Sequence, residues 1–189
     1  MRQNLNDLPK DLPRPTDDGK TSHLTGLSIP KVQLPSTHGG QLDLWDAFQK
    51  PTVLFIYPQA GSPLEPETNQ ELWDSIPGAR GCTPQSCGFR DLIGEFEQLG
   101  IQVFGLSIQA PLVQKEFVER NHISFPILSD NEYLLTEQLN LPTFDFAGRR
   151  LIKRMALFIK EGKIQKVFYP VFPPDKNADE VLLWLASQR

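Results

Sequence analysis

Apolar residues along this chain fall into short runs and periodic stretches that change character repeatedly. From residue 31, KVQLPSTHGGQLDLWDAF alternates around a Gly-Gly pair, which predicts a short hairpin. PTVLFIYP, 51–58, is a compact apolar run bounded by prolines, the pattern of a strand buried on both faces. In PQSCGFRDLIGEFEQLG the residues Phe89, Leu92, Ile93, Phe96 and Leu99 recur at helical spacing and Gly100 supplies a C-cap, so a helix is expected to begin near Cys82. IQVFGLSI predicts a second buried strand, and PLVQKEFVERNH a helix with proline in its first turn. FPILSD predicts a short strand that ends in a helix-cap candidate, Asp130, before the short helix NEYLLTEQLN. RMALFIKEGKIQKVFYP carries two strands around Glu-Gly, and NADEVLLWLASQ is an amphipathic last helix. A lead hairpin, a βαβα stretch, a second hairpin and a final helix predict an α/β fold with a mixed central sheet and helices on both faces.

Two stretches stand outside this pattern. Residues 1–28 form a polar leader with prolines at 9, 13 and 15, expected to be extended or mobile, and the folded domain is expected over 29–189. GSPLEPETNQELWDSIPGARG, 61–81, is a long Pro-rich segment between a central strand and the cysteine helix. A loop of that size in a compact domain usually has a function or is disordered.

Composition narrows the classes. The 189 residues, 39% hydrophobic and 22% charged, suffice for one domain with a substantial core. Net charge is −4 and the lysines and arginines are scattered, so no basic stripe offers itself to nucleic acid. The longest apolar run, VLLWLA at 181–186, is far short of a membrane span, and the N-terminal stretch has no apolar core of a secretory signal. A cytoplasmic location is expected, where reducing conditions disfavour a purely structural disulfide.

Against that background the cysteines stand out. The chain has two, Cys82 and Cys87, both within GCTPQSCGFRD. His23, His38 and His122 lie far apart in sequence with no ligand spacing, so neither a metal nor another cofactor is expected. Cys82 follows Gly81 at the predicted helix start, where unpaired N–H groups and the positive end of the helix dipole favour a thiolate and lower a thiol pKa from about 8.5. On an ideal helix Cys87 would sit roughly 8.6 Å and ~140° away, beyond the roughly 7 Å reach of a disulfide. Bridging the two therefore requires the first turns to unwind, which suits a redox couple better than a staple. The plain alternative is a pair of small buried hydrophobes.

GCTPQSCGFRD resembles the active-site stretch of the peroxiredoxins, in particular their bacterioferritin-comigratory, or Q-type, subfamily. VLFIYP is similar to that family's strand leading into the site, FPILSD to its FPLLSD segment, and RMALFIKEGKI to its last hairpin, so the likeness covers roughly 28–189. It implies a thioredoxin-like fold and a thiol-dependent peroxidase. On that pattern Cys82 is the peroxidatic nucleophile and Cys87 the resolving cysteine of an intrachain disulfide that thioredoxin or a similar dithiol reduces. Of the three arginines in RRLIKR, Arg154 takes the family arginine's place by its spacing to MALFI, and would stabilise the thiolate and the peroxide oxygens. Hydrogen peroxide or an organic hydroperoxide is the implied substrate, with Pro58 and Thr83 lining its pocket, and the protein is expected to be a monomer or homodimer.

One departure from the family matters. Its motif Pro-x-x-x-(Thr/Ser)-x-x-Cys is interrupted: Pro58 and Ser62 keep their mutual spacing, but a seventeen-residue insertion then intervenes and Ala79 stands three residues before Cys82. Ser62 is expected to fold back and hydrogen-bond the thiolate or peroxide, with Thr68, Ser75 or Thr83 as substitutes. Gln85 replaces a glutamate common in the subfamily, removing a negative charge near the thiolate. Competing readings are a general dithiol–disulfide oxidoreductase, which usually relies on Cys-x-x-Cys, and a non-catalytic thioredoxin-fold interaction module.

Overall fold

The computed structural model describes residues 6–189, so for residues 1–5 the expectation of an extended or mobile leader over 1–28 lies outside the described residues. At its centre is β3 (Thr52–Ile56), every residue of which is buried. It pairs in parallel with β4 (Gln102–Ser107), which pairs in parallel with β5 (Ile127–Ser129). On its other side it pairs antiparallel with β8 (Met155–Lys160), which turns at Glu161–Gly162 into β9 (Lys163–Phe168). The mixed five-stranded order β5-β4-β3-β8-β9 is what the alternation of strand and helix patterns predicts.

Alternation along β3 divides the core. Leu54 and Ile56 face one apolar cluster together with Leu34, Leu44, Leu128 and Leu135, while Val53, Phe55 and Tyr57 face a second that contains Phe89, Phe96, Phe117 and Cys82. The first face carries the hairpin β1 (Gln33–Pro35) and β2 (Gln41–Asp43), the one-turn helix α1 (Leu44–Ala47) and α6 (Leu134–Leu139). The second carries α3 (Cys82–Asp91), α4 (Ile93–Gln98), α5 (Pro111–Arg120) and α7 (Asn177–Ser187). Phe55 stacks on Phe89 with ring centroids 4.5 Å apart, and this fixes α3 on the sheet. The stack depends on a glycine in the neighbouring strand: a Cβ at Gly105 would lie 2.9 Å from the Phe55 ring.

Four features depart from the expected elements. The single helix after Cys82 is two, parted at Leu92, just before Gly94, whose low helix propensity weakens the join. The insertion is ordered around a short helix, α2 (Gln70–Asp74), capped by the Asn69 side chain. A further hairpin, β6 (Thr143–Phe146) and β7 (Arg149–Ile152), turns at Ala147 and Gly148, both with positive φ. Lastly, the described part of the leader contacts the folded domain. Leu24 is fully buried, His23 bonds the Leu139 carbonyl, and Asp18 pairs with Lys153 at 2.7 Å and accepts from Tyr169 at 2.8 Å. Asp130 does cap α6, but from outside the N-cap position: its buried carboxylate accepts the Leu135 and Thr136 N–H groups and the Thr136 hydroxyl.

Candidate active site

Cys82 is the first residue of α3 and 4% exposed. It reaches that position through Gly81, which has φ 111° and no side-chain cap. A Cβ at Gly81 would lie 2.5 Å from Pro174 Cγ, in the 3-10 turn Pro174–Lys176 that precedes α7, so only glycine brings the helix start this close to that turn. The first turn leaves backbone N–H groups without helical partners at the positive end of the dipole, beside the sulfur.

Arg154, just before β8, comes to the same point and is equally buried. Its Nη2 lies 3.1 Å from Cys82 Sγ and donates to the Ala79 carbonyl at 2.7 Å. Nη1 donates to Gln85 Oε1 at 2.6 Å, and Nε to the Gly78 carbonyl at 3.2 Å. A guanidinium bonded on four sides has little rotational freedom and presents its charge to the sulfur in one orientation. Among the described residues Sγ has one other hydrogen-bond contact, a long 3.7 Å approach to the Ala79 carbonyl. Gln85 extends the arrangement, its Nε2 donating to Asn177 Oδ1 at 2.9 Å, so the first residue of α7 helps to hold the arginine.

Ser62 does not fold back. Its hydroxyl donates to Glu116 of α5 at 3.0 Å and accepts the Leu64 N–H, while Arg120 holds the neighbouring Gly61 carbonyl at 2.7 Å. The insertion is fixed at this end to α5 and cannot deliver the Ser62 hydroxyl to Cys82. Further along, Glu65 bonds Gln109 and Arg149, Trp73 packs on Phe144 and Phe146, and buried Arg80 pairs with Asp74 and donates to the Asp7 carbonyl. The aromatic in the insertion is thus a local anchor. Pro58 and Thr83 are both buried, Thr83 within the first turn of α3.

Cys87 lies on α3 with half-buried surroundings, its sulfur 3.9 Å from Asn121 Oδ1 at the end of α5. Burial pushes its thiol pKa up, Arg90 opposing, Asp91 adding and Arg120 opposing. Both cysteines are free thiols on one intact helix. Four neighbours carry no signal of their place in the sequence: Asn177 has only the pattern of a helix start, the carbonyls of Gly78 and Ala79 have no side-chain signal, and Tyr57 has only the pattern of a strand-end aromatic. Among the described residues no group of three His, Cys, Asp or Glu is placed to hold a metal ion, and no helix is long and apolar enough to cross a membrane.

Comparison with known proteins adds an independent line. Residues 24–182 match the Redoxin family. Peroxiredoxin Bcp of Escherichia coli is 31% identical over 164 residues, covering 85% of this chain and 94% of that protein. The chloroplastic peroxiredoxin Q of Populus jackii is 29% identical over 162 residues, covering 86% and 68% respectively. Among solved structures, peroxidoxin BcpB from Mycobacterium tuberculosis superposes with a TM-score of 0.71 at 28% identity, covering 88% of this chain and 99% of that one. A Xylella fastidiosa PrxQ mutant, at 21% identity, superposes with a TM-score of 0.70 over 88% and 98% and speaks to the fold alone.

Proposed function

From the premise that this chain belongs to the Redoxin family and is a Bcp/Q-type peroxiredoxin, a thiol-dependent peroxidase of thioredoxin-like fold, we propose that Cys82 is its peroxidatic cysteine and Cys87 its resolving one. The observation that carries the assignment is the approach of Arg154 Nη2 to within 3.1 Å of Cys82 Sγ.

Chemistry follows from the placement. The Cys82 thiolate attacks one oxygen of a hydroperoxide; an S–O bond forms as the O–O bond breaks, and the sulfur gives up two electrons to the departing oxygen, which leaves as water or an alcohol. Arg154 faces the charge that spreads over the oxygens, in a site from which water is largely excluded. Cys87 then attacks the sulfenic acid sulfur, forming the S–S bond and releasing water. An external dithiol of the thioredoxin kind returns both sulfurs to thiols by exchange.

Resolution needs α3 to open, because the two sulfurs belong to one intact helix. The bonds to be broken include Gln85 to Arg154, Gln85 to Asn177, and the Ser86 hydroxyl to the Cys82 carbonyl. At about 1 kcal/mol net for each neutral bond and about 1.5–3 for the one to the guanidinium, losing these bonds costs roughly 3.5–5 kcal/mol, at or below the low end of a typical global stability of about 5–15 kcal/mol. The cytoplasm, where a dithiol reductant is at hand, is the compartment this cycle fits. The test is Cys87→Ser: it should consume a single equivalent of hydrogen peroxide and then stall under a thioredoxin system that keeps the unsubstituted protein turning over. Sustained turnover without Cys87 would remove it from the cycle.

A further inference from the structure

The motif's hydroxyl is missing from its usual place, since Ala79 has only a methyl and Ser62 is committed to Glu116. The chain has another hydroxyl on the same side of the sheet. Tyr57 follows the last residue of β3 and continues its pairing, its N–H donating to the Leu106 carbonyl at 3.1 Å. The strand's alternation puts its ring on the α3 face, in the same packed cluster as Cys82, Ala60, Phe89 and Phe117. Resting on the peroxidase reading above, we propose that Tyr57 is a further catalytic residue, its hydroxyl donating a hydrogen bond to the oxygen that departs when Cys82 attacks the peroxide.

The hydroxyl's own situation supports the role. Tyr57 has no exposure, and its Oη makes no hydrogen bond of ordinary geometry. Ser107 is nearby, but its oxygen already accepts from Gln114 Nε2 at 2.9 Å and from the Gln109 N–H at 3.3 Å, and its hydroxyl donates to Gln109 Oε1 at 3.4 Å. A phenylalanine would fill the space without leaving a polar atom unsatisfied. Burial pushes the phenol pKa well above its ordinary value; the Ser107 contact opposes this, while negative charge on Cys82 and on Glu65 adds to it. Tyr57 therefore stays protonated, as a hydrogen-bond donor must, within the packed cluster that also holds Cys82.

The step balances without consuming that proton. A thiolate and a hydroperoxide give a sulfenate and water or an alcohol, the departing oxygen taking the hydroperoxide's own hydrogen. Tyr57 supplies only the hydrogen bond that stabilises charge as it grows on that oxygen.

The test is Tyr57→Phe, which keeps the ring packing against Phe55 and Phe117. The second-order rate of Cys82 oxidation by hydrogen peroxide should fall by about 10²-fold, the typical cost of removing one donor to a developing oxyanion. Alkylation of Cys82 by iodoacetamide, which offers no peroxide oxygen, should keep its rate, and the melting temperature should hold or rise. An unchanged peroxide rate overturns the proposal and leaves Thr83 to supply the hydroxyl. Equal falls in both reactions also overturn it, by showing that the hydroxyl acts on the sulfur and not on the peroxide. A failure of the unsubstituted protein to be oxidised at Cys82 would instead sink the peroxidase assignment beneath it.

Discussion

Arg154→Lys separates charge from geometry at the centre of the site. Lysine keeps the positive charge but loses the planar fork. The guanidinium stands 3.1 Å from Cys82 Sγ, where the attraction between unit charges at an effective dielectric of ~20 is about 5 kcal/mol. A single ammonium cannot also serve the Ala79 and Gly78 carbonyls and Gln85 Oε1, which Arg154 holds at 2.7, 3.2 and 2.6 Å. Drawn toward those oxygens to roughly 6 Å from the sulfur, it would retain about 3 kcal/mol of the attraction. Where that loss falls on the transition state, whose charge spreads over the peroxide oxygens that the guanidinium also faces, a difference of about 2 kcal/mol corresponds to a ~30-fold loss in the rate of attack, at about 1.4 kcal/mol per tenfold. Stability should also fall by about 1–3 kcal/mol, since buried carbonyls lose charge-assisted donors. Stopped-flow mixing of reduced protein with excess hydrogen peroxide gives the rate, and urea denaturation the stability. A folded Arg154→Lys protein reacting at the unsubstituted rate would show that neither the fork nor its distance from the sulfur matters to the attack.

Other outcomes follow from the same contacts. Gly81→Ala should lose about 2 kcal/mol or more, measured by urea denaturation, since it combines a left-handed φ with a clash against Pro174. Gln85→Glu should fold, with Asn177 turning its otherwise unpaired amide toward the new carboxylate; the added negative charge beside Arg154 should slow peroxide attack several-fold, read by the same stopped-flow assay. Because burial holds the Cys87 thiol protonated to higher pH than an ordinary cysteine, its alkylation at pH 8, followed by peptide mass spectrometry, should be slower in the folded than in the urea-unfolded protein. Asp18 is held near pKa 2: burial raises it, but the bonds from Lys153 and Tyr169 outweigh that and lower it from 3.8. A depressed carboxyl stabilises only while ionised, so its tether is fully present above about pH 4 and is lost as pH falls through about 2. Asp18→Asn should make the leader more protease-sensitive at pH 7 and remove that low-pH change.

Much of this was legible in the sequence because the pattern and the burial agree. The compact apolar runs at 51–58 and 101–108 mark strands that the structure buries, and the spacing from Phe89 to Phe96 marks the helical face that packs on them. What escaped depends on partners distant in sequence or on weak local signals. Ser62 found Glu116, fifty-four positions away, and nothing near either residue announces the pairing. Ala147-Gly148 is not a standard tight-turn pair, so the β6–β7 hairpin lay hidden in TFDFAGRRLI. The leader's prolines and aspartates read as solvated chain, yet Leu8 reaches Gly81, Pro15 packs near Gly78, and Arg14 lies over Phe172 with its charge centre 5.1 Å from the ring. Gln85 was noticed for the charge it lacks, whereas its bridging position between Arg154 and Asn177 exists only once α3 and α7 have packed together.

On the assignment proposed above, Cys82, held beside Arg154, is the sulfur that meets the peroxide. Reduced protein given a single equivalent of hydrogen peroxide in the presence of dimedone, then digested and mapped by mass spectrometry, tests it most directly. A dimedone adduct on the Cys82 peptide of Cys87→Ser is expected, and an intrachain Cys82–Cys87 disulfide in the unsubstituted chain. An adduct on Cys87 with Cys82 untouched, or no oxidation of either cysteine, would contradict it.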